Sequence, residues 1–129
     1  MYRTVEFRAV YTDEGQLDGC GNNAVPGARD LAEAFVARLR SHAQSVTDIE
    51  EHSDYGWGFD VRFQNRSFHN VLNPIDDQCF LTVSLSLQWL WALLLRHPRE
   101  TFDRYCQAIS ETFSELPQVS AVKWEDYRG

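Results

Sequence analysis

The feature that most constrains the fold is a two-residue hydrophobic period in two long segments. In residues 55–63, YGWGFDVRF, every second residue is aromatic or aliphatic, and residues 79–87, CFLTVSLSL, alternate in the same way. Successive side chains of a β-strand point to opposite faces of a sheet, so each segment predicts a strand with one apolar face. Weaker versions of the pattern predict further strands at residues 3–11, 46–51, 67–72 and 119–124.

Two other segments have the longer period of an amphipathic helix. The first follows Pro26 and Gly27, which suit a helix start, and it places on one side Leu31, Ala32, Phe35, Val36 and Leu39. The second runs from about residue 98 to 115 and places on one side Phe102, Cys106, Ile109 and Phe113. Between these elements, residues 12–27 predict a long loop, and 64–66 and 73–77 predict turns, because they are rich in Gly, Asn, Asp, Gln or Pro.

The order of these elements predicts one α+β domain over residues 1–129. It reads strand, helix, four strands, helix, strand. Strands that are joined by short turns pair antiparallel, so a mainly antiparallel meander sheet is expected. The two amphipathic helices would pack on one face of this sheet and leave the other face open to solvent.

Composition narrows the environment and the partners. The net charge of -7 disfavours nucleic acid, since phosphate binding requires clustered Lys and Arg. Three cysteines without CxxC spacing, and no secretion signal, predict reduced thiols and a cytoplasmic protein. The longest apolar run, WLWALLL, is too short to span a bilayer, so no membrane association is expected.

No catalytic or metal-binding motif is recognisable. The segment EEHSD at residues 50–54 lacks the spaced His or Cys pair that zinc prefers, so no metal and no cofactor are predicted. Nucleophile elbows and P-loops are absent from the sequence, and no catalytic residues are assigned. Cys20, in the glycine-rich segment DGCGNN, leaves one alternative open: an enzyme or small-ligand binder with a pocket near the loop at residues 18–27.

Acidic and aromatic residues are concentrated around the start of the strand at residues 55–63. Trp and Tyr are frequent anchors of protein interfaces, and an acidic surround steers a basic partner. The predicted partner-binding residues are Asp48, Glu50, Glu51, Asp54, Tyr55, Trp57, Trp89 and Trp91. In the competing interpretation, Trp57 faces the core with Phe59, Val61 and Phe63, and the acids are merely solvated.

Three segments carry a resemblance to known proteins: VPGARDLAEAFVARL, DYGWGFDVRF and VSAVKWEDY. In this order they resemble small acidic bacterial α+β proteins of unassigned function, a type similar to the immunity proteins of polymorphic toxin systems. The resemblance implies a non-catalytic cytoplasmic binder that neutralises a cognate toxin. The acidic and aromatic surface around residues 48–57 would do this by covering a basic active site. Another alternative is a homo-oligomeric structural or adaptor protein, such as a homodimer that buries the open sheet face and QWLWALLL.

Overall fold

A seven-stranded antiparallel sheet, with two helices on one face, dominates the computed structural model, which describes residues 1–17, 23–52, 56–85 and 98–128. The strands are β1 (Tyr2–Ala9), β2 (Gln16–Leu17), β3 (Asn23–Val25), β4 (Ser45–Val46), β5 (Glu50–His52), β6 (Gly56–Phe63), β7 (Arg66–Ile75), β8 (Gln78–Leu85) and β9 (Val119–Trp124). The helices are α1 (Arg29–Leu39) and α2 (Pro98–Ser114). The predicted α+β class and antiparallel sheet are confirmed.

The sheet order is β4-β6-β7-β8-β1-β9, and β5 also pairs with β6. Strands β6, β7 and β8 form the predicted meander. The N-terminal strand β1 then inserts between β8 and β9, with Phe7 opposite Cys79 and Ala9 opposite Val119. The first strand of the chain therefore lies in the interior of the sheet, and the last strand, β9, forms one edge.

Both helices bury their apolar sides against the same face of the sheet. Phe35 of α1 contacts Phe59 with ring centroids 5.9 Å apart, and Phe113 of α2 contacts Phe7 at 4.5 Å. The two helices also meet each other through Phe35 and Phe113, at 4.8 Å. Burial of each such ring stabilises the fold by about 1.5–3 kcal/mol relative to exposure.

The start of α1 is held by a loop that precedes it by fifteen or more residues. Ala28, the residue before the helix, has φ 61° and provides no side-chain cap. Instead, the amide of Arg29 donates to the Asp13 carboxylate at 3.0 Å, and the amide of Thr12 donates to the Asp30 carboxylate at 3.0 Å. Partial burial acts to raise the pKa of Asp30, but the hydrogen bonds from Thr12 and Asp13 outweigh it and lower that pKa.

Two predicted irregular segments contain strands. The predicted loop at residues 12–27 includes the short antiparallel pair β2 and β3, in which Gln16 lies opposite Val25. The predicted turn at 73–77 is shorter than expected, because β7 continues through Pro74, which lies opposite Cys79 of β8. Among the described residues, Pro74 lies beyond the part of β7 that pairs with β6, so its missing N–H interrupts no pairing that is described there.

Candidate functional site

Trp57 lies in the core, and the expectation that it forms part of a partner-binding surface is wrong. Its side chain is 3 % exposed, and its indole Nε1 donates to the carbonyl of Gly27 at 2.8 Å. The guanidinium of Arg29 lies 5.6 Å from the centroid of the ring. The segment that leads into α1 therefore covers the start of β6 and removes this indole from solvent.

The predicted acidic residues do lie at the surface, on one edge of the sheet. Glu50 and Glu51 are exposed residues of β5, and the side chain of Asp48 is 95 % exposed while its carboxylate accepts a 2.8 Å hydrogen bond from Arg40. We call Asp48, Glu50 and Glu51 the acidic edge. Four further predicted partner-binding residues lie outside the described residues: Asp54, Tyr55, Trp89 and Trp91.

The acidic edge is an irregular strand edge. The single strand predicted at residues 46–51 is two short strands, β4 and β5, and both pair with β6. Between them, Thr47 replaces regular pairing: its amide donates to the Asp60 carbonyl at 3.0 Å, and its hydroxyl accepts from the Asp60 amide at 2.9 Å. Interruptions and charges of this kind discourage edge-to-edge strand pairing, so recognition here would depend mainly on side chains.

Two histidines stand beside the acidic edge on the face of the sheet opposite α1 and α2. The rings of His52 on β5 and His69 on β7 have centroids 5.8 Å apart, with β6 between the two strands. A ring nitrogen of His69, Nδ1, lies 2.8 Å from the Asp60 carboxylate. This contact orients the His69 ring and leaves its Nε2 directed away from Asp60.

The two glycines of β6 have different roles. A Cβ at Gly56 would lie 2.6 Å from the carbonyl oxygen of Leu72, so the backbone packing of β6 on β7 requires glycine there. A Cβ at Gly58 would lie 3.4 Å from the Cδ2 atom of His52 and 3.8 Å from the Cε1 atom of His69, which are ordinary contacts. A Cβ atom is therefore tolerated at Gly58, and glycine leaves the space between the two imidazoles unfilled.

The acidic edge and the histidines share a cavity of about 150 Å³. Its lining includes Asp48, Glu50, Glu51 and Asp60, together with His52, Gly58 and His69. Among the residues that the structure describes, no three His, Cys, Asp or Glu side chains are already grouped as ligands of one metal ion. The four carboxylates of this lining give the recess a negative electrostatic potential, which attracts cations.

Asp60 and His69 were not selected from the sequence, although a signal for them exists. Gln64 and Asn65 form a two-residue turn, with φ 49° and 63°, as type I′ hairpin turns require. Such a turn fixes the register, and counting back from it places Asp60 opposite His69. The turn at Gln64 and Asn65 joins β6 to β7 and therefore does not fix the position of His52, which lies on β5.

A second cavity, of about 540 Å³, lies near Gly27, at the ends of β1 and β7. Its lining includes Tyr11, Glu14, Asp76 and Asp77, and the Tyr11 hydroxyl donates to the Asp76 carbonyl. Burial, followed by the charges of nearby groups that include Asp76 and Asp77, raises the pKa of Tyr11. Gly27 belongs to the range 18–27 near which the sequence predicts a pocket, and residues 18–22 of that range lie outside the described residues.

The cysteines that the structure describes are poor nucleophiles. Cys79 and Cys106 are both buried free thiols. Burial raises the pKa of the Cys79 thiol to about 11 and also raises that of Cys106. Cys20, the cysteine on which the sequence-based enzyme alternative rests, lies outside the described residues.

Comparison of the chain with protein-family models, curated proteins and solved structures finds no match. Neither of the described helices is long and apolar enough to cross a membrane.

Proposed function

We propose that this chain is a non-catalytic protein-binding module that binds a basic protein surface through its acidic edge. The observation that carries the proposal is the position of Asp48, Glu50 and Glu51, which are exposed together on one sheet edge and line one recess. The net charge of -7 adds long-range attraction for a basic partner.

The recess offers a specific mode of recognition. A Lys or Arg side chain of the partner would enter it and meet the carboxylates of Glu50 and Asp60, forming charge-assisted hydrogen bonds. The surrounding acids would speed the encounter, and the recess would set the register of the partner on the edge. Trp57 takes no direct part in this mode, because its ring is buried on the opposite face.

The specific form that we propose is toxin neutralisation in a bacterial cytoplasm. Its support is the resemblance of three segments to the type of the polymorphic-toxin immunity proteins, together with the acidic edge. Toxins that act on nucleic acid have basic active sites, because they bind phosphate. An acidic module that covers such a site excludes the substrate without any chemistry of its own.

Reversal of charge on the acidic edge tests this proposal. The double variant Glu50→Arg and Glu51→Arg places like charges against a basic partner, which costs several kcal/mol. We expect a loss of affinity of roughly 30- to 1,000-fold for the protein encoded by the neighbouring reading frame, which corresponds to about 2–4 kcal/mol. Titration calorimetry measures the affinity, and rescue of bacterial growth from the same protein measures neutralisation.

The matched control is Glu125→Arg. Glu125 is an exposed glutamate that follows β9, at the opposite edge of the sheet. The Glu125→Arg variant should keep an affinity within about twofold of the wild-type value, since charges outside an interface contribute little. Equal affinities for the wild type, the double variant and the control would show that the acidic edge does not contact the partner.

The cavity near Gly27 supports a second candidate function, the binding of a small cationic ligand. Its acidic lining, with Glu14, Asp76 and Asp77, suits a polyamine. Asp76→Asn removes one charge without backbone strain, because φ at this position is 56° and Asn tolerates that conformation. We expect spermidine to raise the melting temperature of the wild type and to do so less for Asp76→Asn; an unchanged melting temperature in both excludes this ligand class.

A further inference from the structure

We propose that His52 and His69 bind a divalent transition-metal ion in the space above Gly58. The two histidines belong to strands on either side of β6, and Gly58 of β6 lies between them. Their ring centroids are 5.8 Å apart. Two imidazoles on one tetrahedral zinc ion, with Zn–N distances of about 2.1 Å, have centroids about 5.2 Å apart, which is close to the separation of this pair.

The ring nitrogens that such a site requires are near the same space. The atoms closest to a Cβ at Gly58 are Cδ2 of His52 and Cε1 of His69, at 3.4 and 3.8 Å. Both atoms are bonded to the Nε2 atom of their own ring. Each Nε2 therefore lies one covalent bond away from the atoms that border the space above Gly58.

Asp60 supplies the support that metal-binding histidines usually have. Its carboxylate lies 2.8 Å from Nδ1 of His69. When Nδ1 carries the proton and donates it to this carboxylate, Nε2 keeps its lone pair for a metal, and its basicity increases. Asp60 is thus a positioning residue of the site and not a ligand.

A carboxylate for the third ligand position is available on β5. Glu50 lies directly opposite Gly58 in the strand register and, two residues before His52, points to the same face of the sheet. Since no three donors of the described residues are already grouped around one point, Glu50 would have to rotate toward the ion, and water would complete the coordination. Imidazole ligands favour Zn²⁺, Ni²⁺, Cu²⁺ and Co²⁺ over Mg²⁺ and Ca²⁺.

This metal site does not require the partner-binding proposal, although both use the recess that Glu50 and Asp60 line. The two histidines have no role in the proposed partner binding, and Glu51 has none in the metal site. The variants that separate the two proposals are therefore His52→Ala and His69→Ala for the metal, and Glu51→Arg for the partner.

The experiment uses the full, untagged chain after treatment with a chelator. Zn²⁺ is titrated by calorimetry, and Co²⁺ by visible absorption, which reports nitrogen and oxygen ligands directly. We expect a saturable site that disappears in the double variant of His52→Ala and His69→Ala. Asp60→Asn should weaken Zn²⁺ binding by about 10- to 100-fold, as expected for the loss of a supporting hydrogen bond.

Two further variants separate this site from nonspecific binding. His42→Ala removes a histidine whose Nε2 lies 2.7 Å from Glu115, and it should leave this site unchanged. Gly58→Val fills the space between the rings, at a strand position where a Cβ atom makes only ordinary contacts, and should abolish binding while the circular dichroism spectrum stays native. The absence of saturable binding in the wild type, or binding that survives in the double histidine variant, would overturn the proposal.

Discussion

Replacement of Trp57 by alanine is expected to lower the free energy of unfolding by about 3–5 kcal/mol, the range for large aromatic residues in cores. The indole is 3 % exposed, so its removal leaves a cavity between the start of β6 and the segment before α1. It also leaves the carbonyl of Gly27 without its 2.8 Å hydrogen bond from Nε1. Urea denaturation followed by circular dichroism measures the change, because the signal does not depend on the deleted fluorophore.

Trp57→Phe separates the two contributions. Phenylalanine keeps much of the apolar volume but cannot donate to Gly27, so a smaller loss of about 1–3 kcal/mol is expected from the unsatisfied carbonyl. Val10→Ala is the control: Val10 is 77 % exposed, and its truncation should change stability by less than about 0.5 kcal/mol. A Trp57→Ala protein as stable as this control would place the indole outside the core.

This result also determines how loss of partner binding can be interpreted. Loss of binding in a Trp57→Ala variant does not distinguish the loss of an interface contact from the loss of folded protein. Glu50 and Glu51 are exposed and can be changed without that complication. The acidic edge is therefore the better place to test binding.

The second large effect is expected at a polar pair buried between β7 and α2. Asn70 and Tyr105 are both fully buried, and the Tyr105 hydroxyl donates to the Asn70 side-chain oxygen at 2.8 Å. The side-chain Nδ2 of Asn70 donates in turn to the backbone carbonyl of Phe68 at 3.1 Å. Burial raises the pKa of Tyr105 well above its ordinary value, so this phenol stays neutral and keeps its proton for the hydrogen bond.

Changing either partner alone leaves a buried polar group unpaired. We expect Asn70→Leu and Tyr105→Phe each to lower the free energy of unfolding by about 1–3 kcal/mol. The double variant should be destabilised by less than the sum, with a coupling energy of about 0.5–3 kcal/mol, because both polar groups are removed together. Strictly additive effects in urea denaturation would show that the hydroxyl and the amide do not stabilise each other.

Hydrophobic period was sufficient to predict most of the secondary structure. The strands β6 and β8 and both helices were found because their apolar residues recur with one period over eight or more residues. The class of the fold followed from their order. Strand β7 was found only in part, since Pro74 reads locally as the start of a turn, whereas β8 supplies a partner that extends the strand to Ile75.

Local pattern located the short strands only in part: it predicts one strand at residues 46–51, where β4 and β5 lie, and none at β2 and β3. β2, β4 and β5 have only two or three residues each, too few to show a period. Their existence depends on partners elsewhere in the chain: Val25 for Gln16, and β6 for both β4 and β5. The insertion of β1 between β8 and β9 is also a consequence of long-range pairing, which no local pattern specifies.

The alternation of β6 by itself determined that Trp57, Phe59 and Val61 share one face, because side-chain direction in a strand depends only on position along it. Only the tertiary structure decided that this face includes the indole of Trp57, since the cover comes from Gly27 and the start of α1. In the same way, local spacing placed Gly56 and Gly58 on one face of β6. Only the packing of β5 and β7 on either side of β6 showed that glycine is required at Gly56 and not at Gly58. Burial depends on neighbours that are distant in sequence, and this is why the acidic edge could be predicted from residue type, whereas the histidine pair above Gly58 could not.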